Sequence, residues 1–312
     1  MAAPIPHSPG SQQSDSHQPG HQPPGIGRRD ATVAARLGRR RRLADRTVRL
    51  LCILATVIAV AFLVSILLTL VLRGLEAFGP HVFTRITLPP GSDGGLLNAI
   101  VGSLVQVGIG TAVGTPIGLL VGTYLAEYDR GSAMGGAVRF VSDILLSAPS
   151  ILIGLFVYQI LVVPFGGFSG WAGCVALAII VIPIVVRTTE DMLRLIPDTL
   201  REAVIGLGSP KWKMITLVGW RAAASGILTG VLLATARVAG ETAPLLFTSL
   251  GNNGWNVNLS APYPSLPIAI YSFAASPYED WIALAWTGAL VITVGVLALN
   301  ICARAVLRTP KA

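Results

Sequence analysis

Two ionisable residues draw attention because of where they lie. Arg237 and Glu241 occur four residues apart in ARVAGETAPLL, inside an otherwise apolar run. On a continuous helix that spacing puts both on one face. Each would cost roughly 2.5–3.5 kcal/mol if left unpaired at the centre of a bilayer, so the pattern demands a partner or water. Two chemistries satisfy it. A closed ion pair fastens the fold, whereas a pair bordering an aqueous path meets an ion, and the planar fork of Arg suits an oxyanion. In the second case Glu241 holds Arg237 until an anion arrives, or accepts a proton from it. Gly240 then allows close backbone approach and Thr242 supplies a hydroxyl.

Upstream, Pro197 to Trp220 reads as a short helical elbow. Asp198 or Thr199 is a suitable N-cap, and Thr199 with Glu202 has the spacing of a capping box. Leu200, Ala203, Val204 and Leu207 fall at i, i+3, i+4 and i+7, which makes one apolar helix face in need of a partner. Gly208 provides the left-handed stop, with Ser209 and Pro210 as N-cap and first residue of a second helix. Periodicity alone also fits an ordinary helical hairpin packed on its own protein.

These features sit in a chain of 312 residues that is 53% hydrophobic and only 12% charged. Several apolar runs are long enough to cross ~30 Å of hydrocarbon, which predicts an all-α polytopic membrane protein. Six spans are expected, at 50–72, 97–125, 140–163, 171–186, 222–250 and 281–303. Placing residues 1–49, 126–139 and 187–221 and the C-terminus, with a short tail at 306–312, in the cytoplasm collects 20 of the 23 Lys and Arg residues there, Arg304 at the end of the last span included, leaving Arg73 and Arg85 on the far side and Arg237 inside a span. That asymmetry predicts both termini inside and the elbow, within 187–221, on the cytoplasmic face. Residues 73–96 and 251–280 become external loops.

Residues 1–49 are rich in Pro, Gly, Ser and Gln before turning basic, and are expected to be a disordered tail. Arginines beside a first apolar segment point to anionic lipid rather than nucleic acid. Without an early apolar core the start does not read as a cleavable signal, so the first span is expected to stay as an anchor. In the second span Gly110, Gly114, Gly118 and Gly122 form a stripe for close helix packing. Pro116, Pro149, Pro183 and Pro244 are each expected to kink a span and free a carbonyl. Cys52, Cys174 and Cys302 lie in apolar segments without metal or disulfide spacing, and no metal site or catalytic constellation is indicated.

Several strings carry a family resemblance over about residues 94–305. Arg201, Glu202 and Ala203, five residues ahead of Gly208, resemble the EAA motif of bacterial ABC importer permeases. YLAEY at 124–128, SAPSILIGLFVY at 147–158, REAVIGLGSPKW at 201–212, GETAPLLFT at 240–248 and SPYED at 276–280 are similar to the PstA-type permeases of phosphate-specific importers. The motif usually closes with Leu-Pro, where this chain has Trp220 and Arg221. The resemblance implies a permease core over 97–305, phosphate as cargo, and a pathway shared with a second, similar permease in a heterodimer. It further implies an extracytoplasmic phosphate-binding protein, and an ATPase subunit gripping Leu200, Glu202, Ala203, Val204, Leu207 and Gly208. With no GxxxxGK[ST] in the sequence, ATP is expected to bind that separate polypeptide and no cofactor to bind here. Other readings are a permease for another oxyanion, a secondary transporter with Glu241 as proton site, and a scaffold in which Arg237 and Glu241 only brace the fold.

Overall fold

The computed structural model describes residues 28–129 and 131–307, with side chains over 45–129 and 131–301. Helices dominate. The first, α1 (Arg28–Glu76), is shared between two compact units that divide between Val64 and Ser65. Taken by itself, the described part of the unit ending at Val64 is a single helix whose side chains from Asp45 onward are all exposed. Within the tail expected to be disordered over 1–49, the chain is helical from Arg28 onward, and residues 1–27 lie outside those described. Arg, Ala and Leu are strong helix formers, and they prolong the apolar span toward the N-terminus.

In the second unit α2 (Pro80–Thr84) leads to α3 (Leu97–Glu127), and α4 (Ala133–Ser147) to α5 (Ser150–Phe165), which includes a π turn at Tyr158–Val162. α6 (Gly170–Arg194) is followed by the elbow helix α7 (Asp198–Gly206) and by α8 (Lys211–Ala239), which carries a second π turn at Met214–Gly219. The short α9 (Ala243–Thr248), α10 (Leu266–Ala274) and the long α11 (Glu279–Leu307) are the last of the described helices.

Among the described residues five helices are long and apolar enough to span a membrane, and six if the bent pair α4 and α5 counts as one. The single span expected at 140–163 is thus broken by a 106° bend. Pro149 is the cause. It pushes Ala148 to ψ 139°, out of the helical region, and itself becomes the N-cap of α5. The span expected at 222–250 is likewise interrupted, since α8 stops at Ala239 and α9 begins after Thr242. Pro244 lies in the first turn of α9, where no amide is missed, so it is not a kink inside a span. Pro116 and Pro183 do lie within helices.

α6 is the most enclosed helix, and two seams of small residues hold it. On α3, Gly110, Gly114 and Gly118 face Leu177, Val181 and Val185; a Cβ on each glycine would come within 2.9, 2.9 and 2.6 Å of those side chains. Gly122 continues the stripe against Val186 and Thr189. The second seam is on α8, where Gly226 meets Met192 and Gly230 meets Thr188. Backbone approach of this kind replaces hydrophobic driving force inside a bilayer. The main core cluster, with Ile153, Leu177, Val181, Val185, Val238 and Leu245, joins α5, α6, α8 and α9 around it.

Candidate functional site

The elbow starts one residue earlier than capping rules indicate. Pro197 is the N-cap of α7, Thr199 falls inside the helix, and no side-chain cap forms, so the Thr199–Glu202 capping box is absent. Gly208 stands at φ 79°, the left-handed stop. Pro210, with ψ 149°, is the N-cap rather than the first residue of the next helix, which opens at Lys211. The chain re-enters the span through the π turn, and the indole of Trp220 donates to the Thr123 hydroxyl at 3.1 Å. That hydrogen bond ties α8 to α3 where the usual motif has Leu-Pro. The segment 187–221 is therefore mostly helical, its first eight residues belonging to α6.

Of the predicted apolar face, Leu200 and Ala203 are exposed, Val204 is half-buried and Leu207 is 87% exposed. No residue of α7 is buried. The helix is held by its polar side instead. Arg201 reaches the Glu127 carboxylate at 2.8 Å and the Leu193 carbonyl at 2.6 Å, while Lys211 donates to the Glu127 carbonyl and lies over the Tyr128 ring. Beside this clamp, Glu190 receives Arg139 at 2.8 Å and Arg194 at 2.7 Å. Arg139 also pairs with Asp129 at 2.7 Å. Two hydrogen bonds from Ser132 hold the Asp129 carboxyl at about 2, below its ordinary 3.8, and Arg139 adds to the effect. Sequence reasoning missed Glu127, Glu190 and their arginines as a group. The available signal was an acid at the end of an apolar segment, which needs a cation.

Arg237 and Glu241 are brought together, but not on one helix face. Arg237 lies in the last turn of α8 and Glu241 in the three-residue break, so the helix ends between them. Their Nε–Oε1 separation is 3.9 Å, beyond hydrogen-bond length. The Arg237 side chain is 48% exposed and that of Glu241 only 15%, so the guanidinium is available to a third group. Thr242, half-buried, is the N-cap of α9 without using its hydroxyl. The break is braced from behind, where a Cβ on Gly154 of α5 would lie 2.6 Å from the Cα of Pro244. A positive side chain is thus presented at a discontinuity in a span, with backbone groups at hand.

The family described as binding-protein-dependent transport system inner membrane component matches residues 114–309. A phosphate transport system permease protein PstA of Pasteurella multocida is 52% identical over 85% of this chain and 94% of its own length. That of Yersinia pestis is 49% identical over 87% of this chain and 92% of its own. Among solved structures, the bacterial alginate ABC transporter in complex with alginate pentasaccharide-bound periplasmic protein superposes with a TM-score of 0.63 at 13% identity, covering 86% of this chain and 97% of that one. The MetNI methionine ABC transporter in an inward-facing conformation gives 0.57 at 19%, covering 70% and 96%. The chain belongs to the binding-protein-dependent transport system inner membrane components and, within that family, to the PstA permeases.

Proposed function

We propose that this chain forms half of a membrane pathway for inorganic phosphate and is driven by ATP hydrolysis in a separate subunit. The observation that carries the cargo is Arg237, a half-exposed, loosely paired guanidinium at the end of α8, in a chain about half identical to PstA phosphate permeases. Its fork fits two oxygens of a tetrahedral anion, and Glu241 and Thr242 complete the lining. The exposed face of Leu200, Ala203, Val204 and Leu207, stopped by Gly208, is the seat for a groove on the ATPase, with Glu202 at its edge. A second permease of the same family would complete the pathway, and a phosphate-binding protein would deliver the anion. The bias of Lys and Arg toward the elbow side supports cytoplasmic termini.

Coupling follows from α8. Its 29 residues make a rod about 43 Å long that begins at the elbow and carries Arg237 in its last turn. A displacement of the elbow therefore moves Arg237 relative to Glu241, which lies beyond the end of the rod.

The test is labelled phosphate uptake, normalised to membrane-inserted protein, for Arg237→Lys, Arg237→Gln, Glu241→Gln and a variant with Leu at both positions. Arg237→Lys keeps the charge but loses the fork, and should impair uptake while leaving insertion intact. The double Leu variant removes both charges together and should insert without transporting. Near-normal uptake by a well-inserted double Leu variant would leave the pair as a brace and sink its role in the pathway.

A further inference from the structure

A separate feature lies in the loop between α9 and α10. A cavity of about 230 Å³ opens there, lined by Asn252, Asn253, Ser265, Ile268 and Ser272 among others. No lining residue is charged. Among the described residues, four groups around it are donors without an acceptor. The Ser265 hydroxyl is buried, its residue only 2% exposed, and has no hydrogen-bond partner. Ser265 is the N-cap of α10 yet makes no side-chain cap. The amide of Ile268, in the first turn of that helix, has no partner either, although Leu266 donates to Ser103 and Ala269 to Ser265. The amides of Asn252 and Asn253 are also unpaired within the described residues.

The loop is built so that these amides face away from the protein's own acceptors. Asn98 is buried, and its Nδ2 donates toward the carbonyls of Asn252, Asn253 and Gly254 at 3.4, 2.9 and 3.5 Å. Its Oδ1 is fixed by the amide and hydroxyl of Thr87 at 3.1 and 3.2 Å. In a trans peptide the N–H points opposite to the C=O, so gathering the Asn252 carbonyl onto Asn98 turns the Asn253 amide outward. Leu250 at φ 61° and Gly251 at φ 86° make the successive left-handed turn that this requires. Unpaired amides at a helix start and in a turned loop attract anions, and an unsatisfied buried hydroxyl calls for a ligand.

We propose that this cavity is an oxyanion site, held by the Ser265 hydroxyl and the amides of Asn252, Asn253 and Ile268. Its ligand is phosphate on the way into the pathway, or a carboxylate of the docked binding protein. The proposal rests on the phosphate-import reading and on the orientation that puts residues 251–280 outside. A neutral cradle holds an anion without trapping it, which suits an entry site more than a storage site.

Ser265→Asp and Ser265→Asn separate charge from packing. Both residues are good N-caps, so α10 should fold in each, but Asp places a carboxylate where the anion would sit. The assembled transporter in proteoliposomes would be assayed for maximal labelled phosphate uptake and for recovery of the binding protein. Loss of roughly tenfold in uptake with Asp, near-normal uptake with Asn and unchanged binding-protein recovery identify free phosphate as the ligand. A fall in binding-protein recovery specific to Asp identifies the carboxylate. If Asp and Asn behave alike in both readouts, the proposal is overturned. A wild-type assembly that moves no phosphate would instead sink the cargo reading, and binding-protein recovery alone would then decide the cavity.

Discussion

Replacing Arg201 by Gln should release the elbow without unfolding the bundle. The substitution removes the 2.8 Å contact with Glu127 and the 2.6 Å contact with the Leu193 carbonyl. The Glu127 side chain is 3% exposed, and Lys211 serves its carbonyl rather than its carboxylate, so a buried charge is stranded. Breaking one side of a fully buried pair costs about 3–5 kcal/mol. Arg201 is 18% exposed, which admits some water, and the lower end, about 3 kcal/mol, is the better figure. Since α7 buries no residue of its own, the loss falls on local opening. At 1.4 kcal/mol per factor of ten the open fraction rises roughly 100-fold. Hydrogen exchange of the detergent-solubilised chain would show this as faster exchange over 198–213, with α6 unchanged. Neutralising both partners, Arg201→Gln with Glu127→Gln, should recover part of the protection because no charge is stranded. Exchange in the single variant within about threefold of wild type, well short of that rise, would refute the clamp, as would a double variant no slower than the single.

Three further outcomes follow from the geometry. Gly118→Val would force a side chain into Val185, only 2.6 Å from the position of a Cβ, and should cost about 1–3 kcal/mol, read as a lower yield of monodisperse protein; normal yield would contradict the seam. Gly208→Val places a β-branched residue at φ 79° and should weaken ATPase co-purification while leaving membrane insertion intact, so full association would remove the stop from the docking argument. The Asp129 carboxyl is depressed to about 2 by Ser132 and Arg139, so its stabilisation is complete above 3.8 and is lost as pH falls toward 2. Exchange at residues 131–136 should be steady down to about 3.8 and accelerate between there and about 2 beyond the intrinsic rate, and Asp129→Ala should abolish the inflection.

Features written locally were legible in the sequence. Gly208 could be read as a stop because a left-handed φ writes itself as glycine, and the fourfold glycine repeat of α3 was visible because a helix face repeats every three to four residues. The breaks were not recognised, although their signals were present. An apolar window does not distinguish one long span from two helices meeting at 106°, so Ala148-Pro149 and Thr242-Ala243-Pro244 were taken for kinks, whereas each is a helix start. The i, i+4 reading of Arg237 and Glu241 failed for the same reason, since it presumes a helix that ends at Ala239. Glu127 and Arg201 lie 74 positions apart, and no periodicity records a partner at that distance.

If the elbow receives force, as proposed, the broken span is what it would act on. Had α8 run unbroken to Leu250, Arg237 and Glu241 would ride on the same rigid body and keep one separation wherever the helix went. With the helix ending between them, Arg237 follows α8, whereas Glu241 leads into α9, which Pro244 presses against Gly154 of α5. A pair already 3.9 Å apart needs little displacement to part, and in the proposed pathway the anion would then take the guanidinium from the carboxylate. The π turn at Met214–Gly219 sits where α8 leaves the elbow, and insertions of this kind frequently mark functional sites. On the proposed function, the discontinuity would convert a push on the elbow into a change of partner for Arg237.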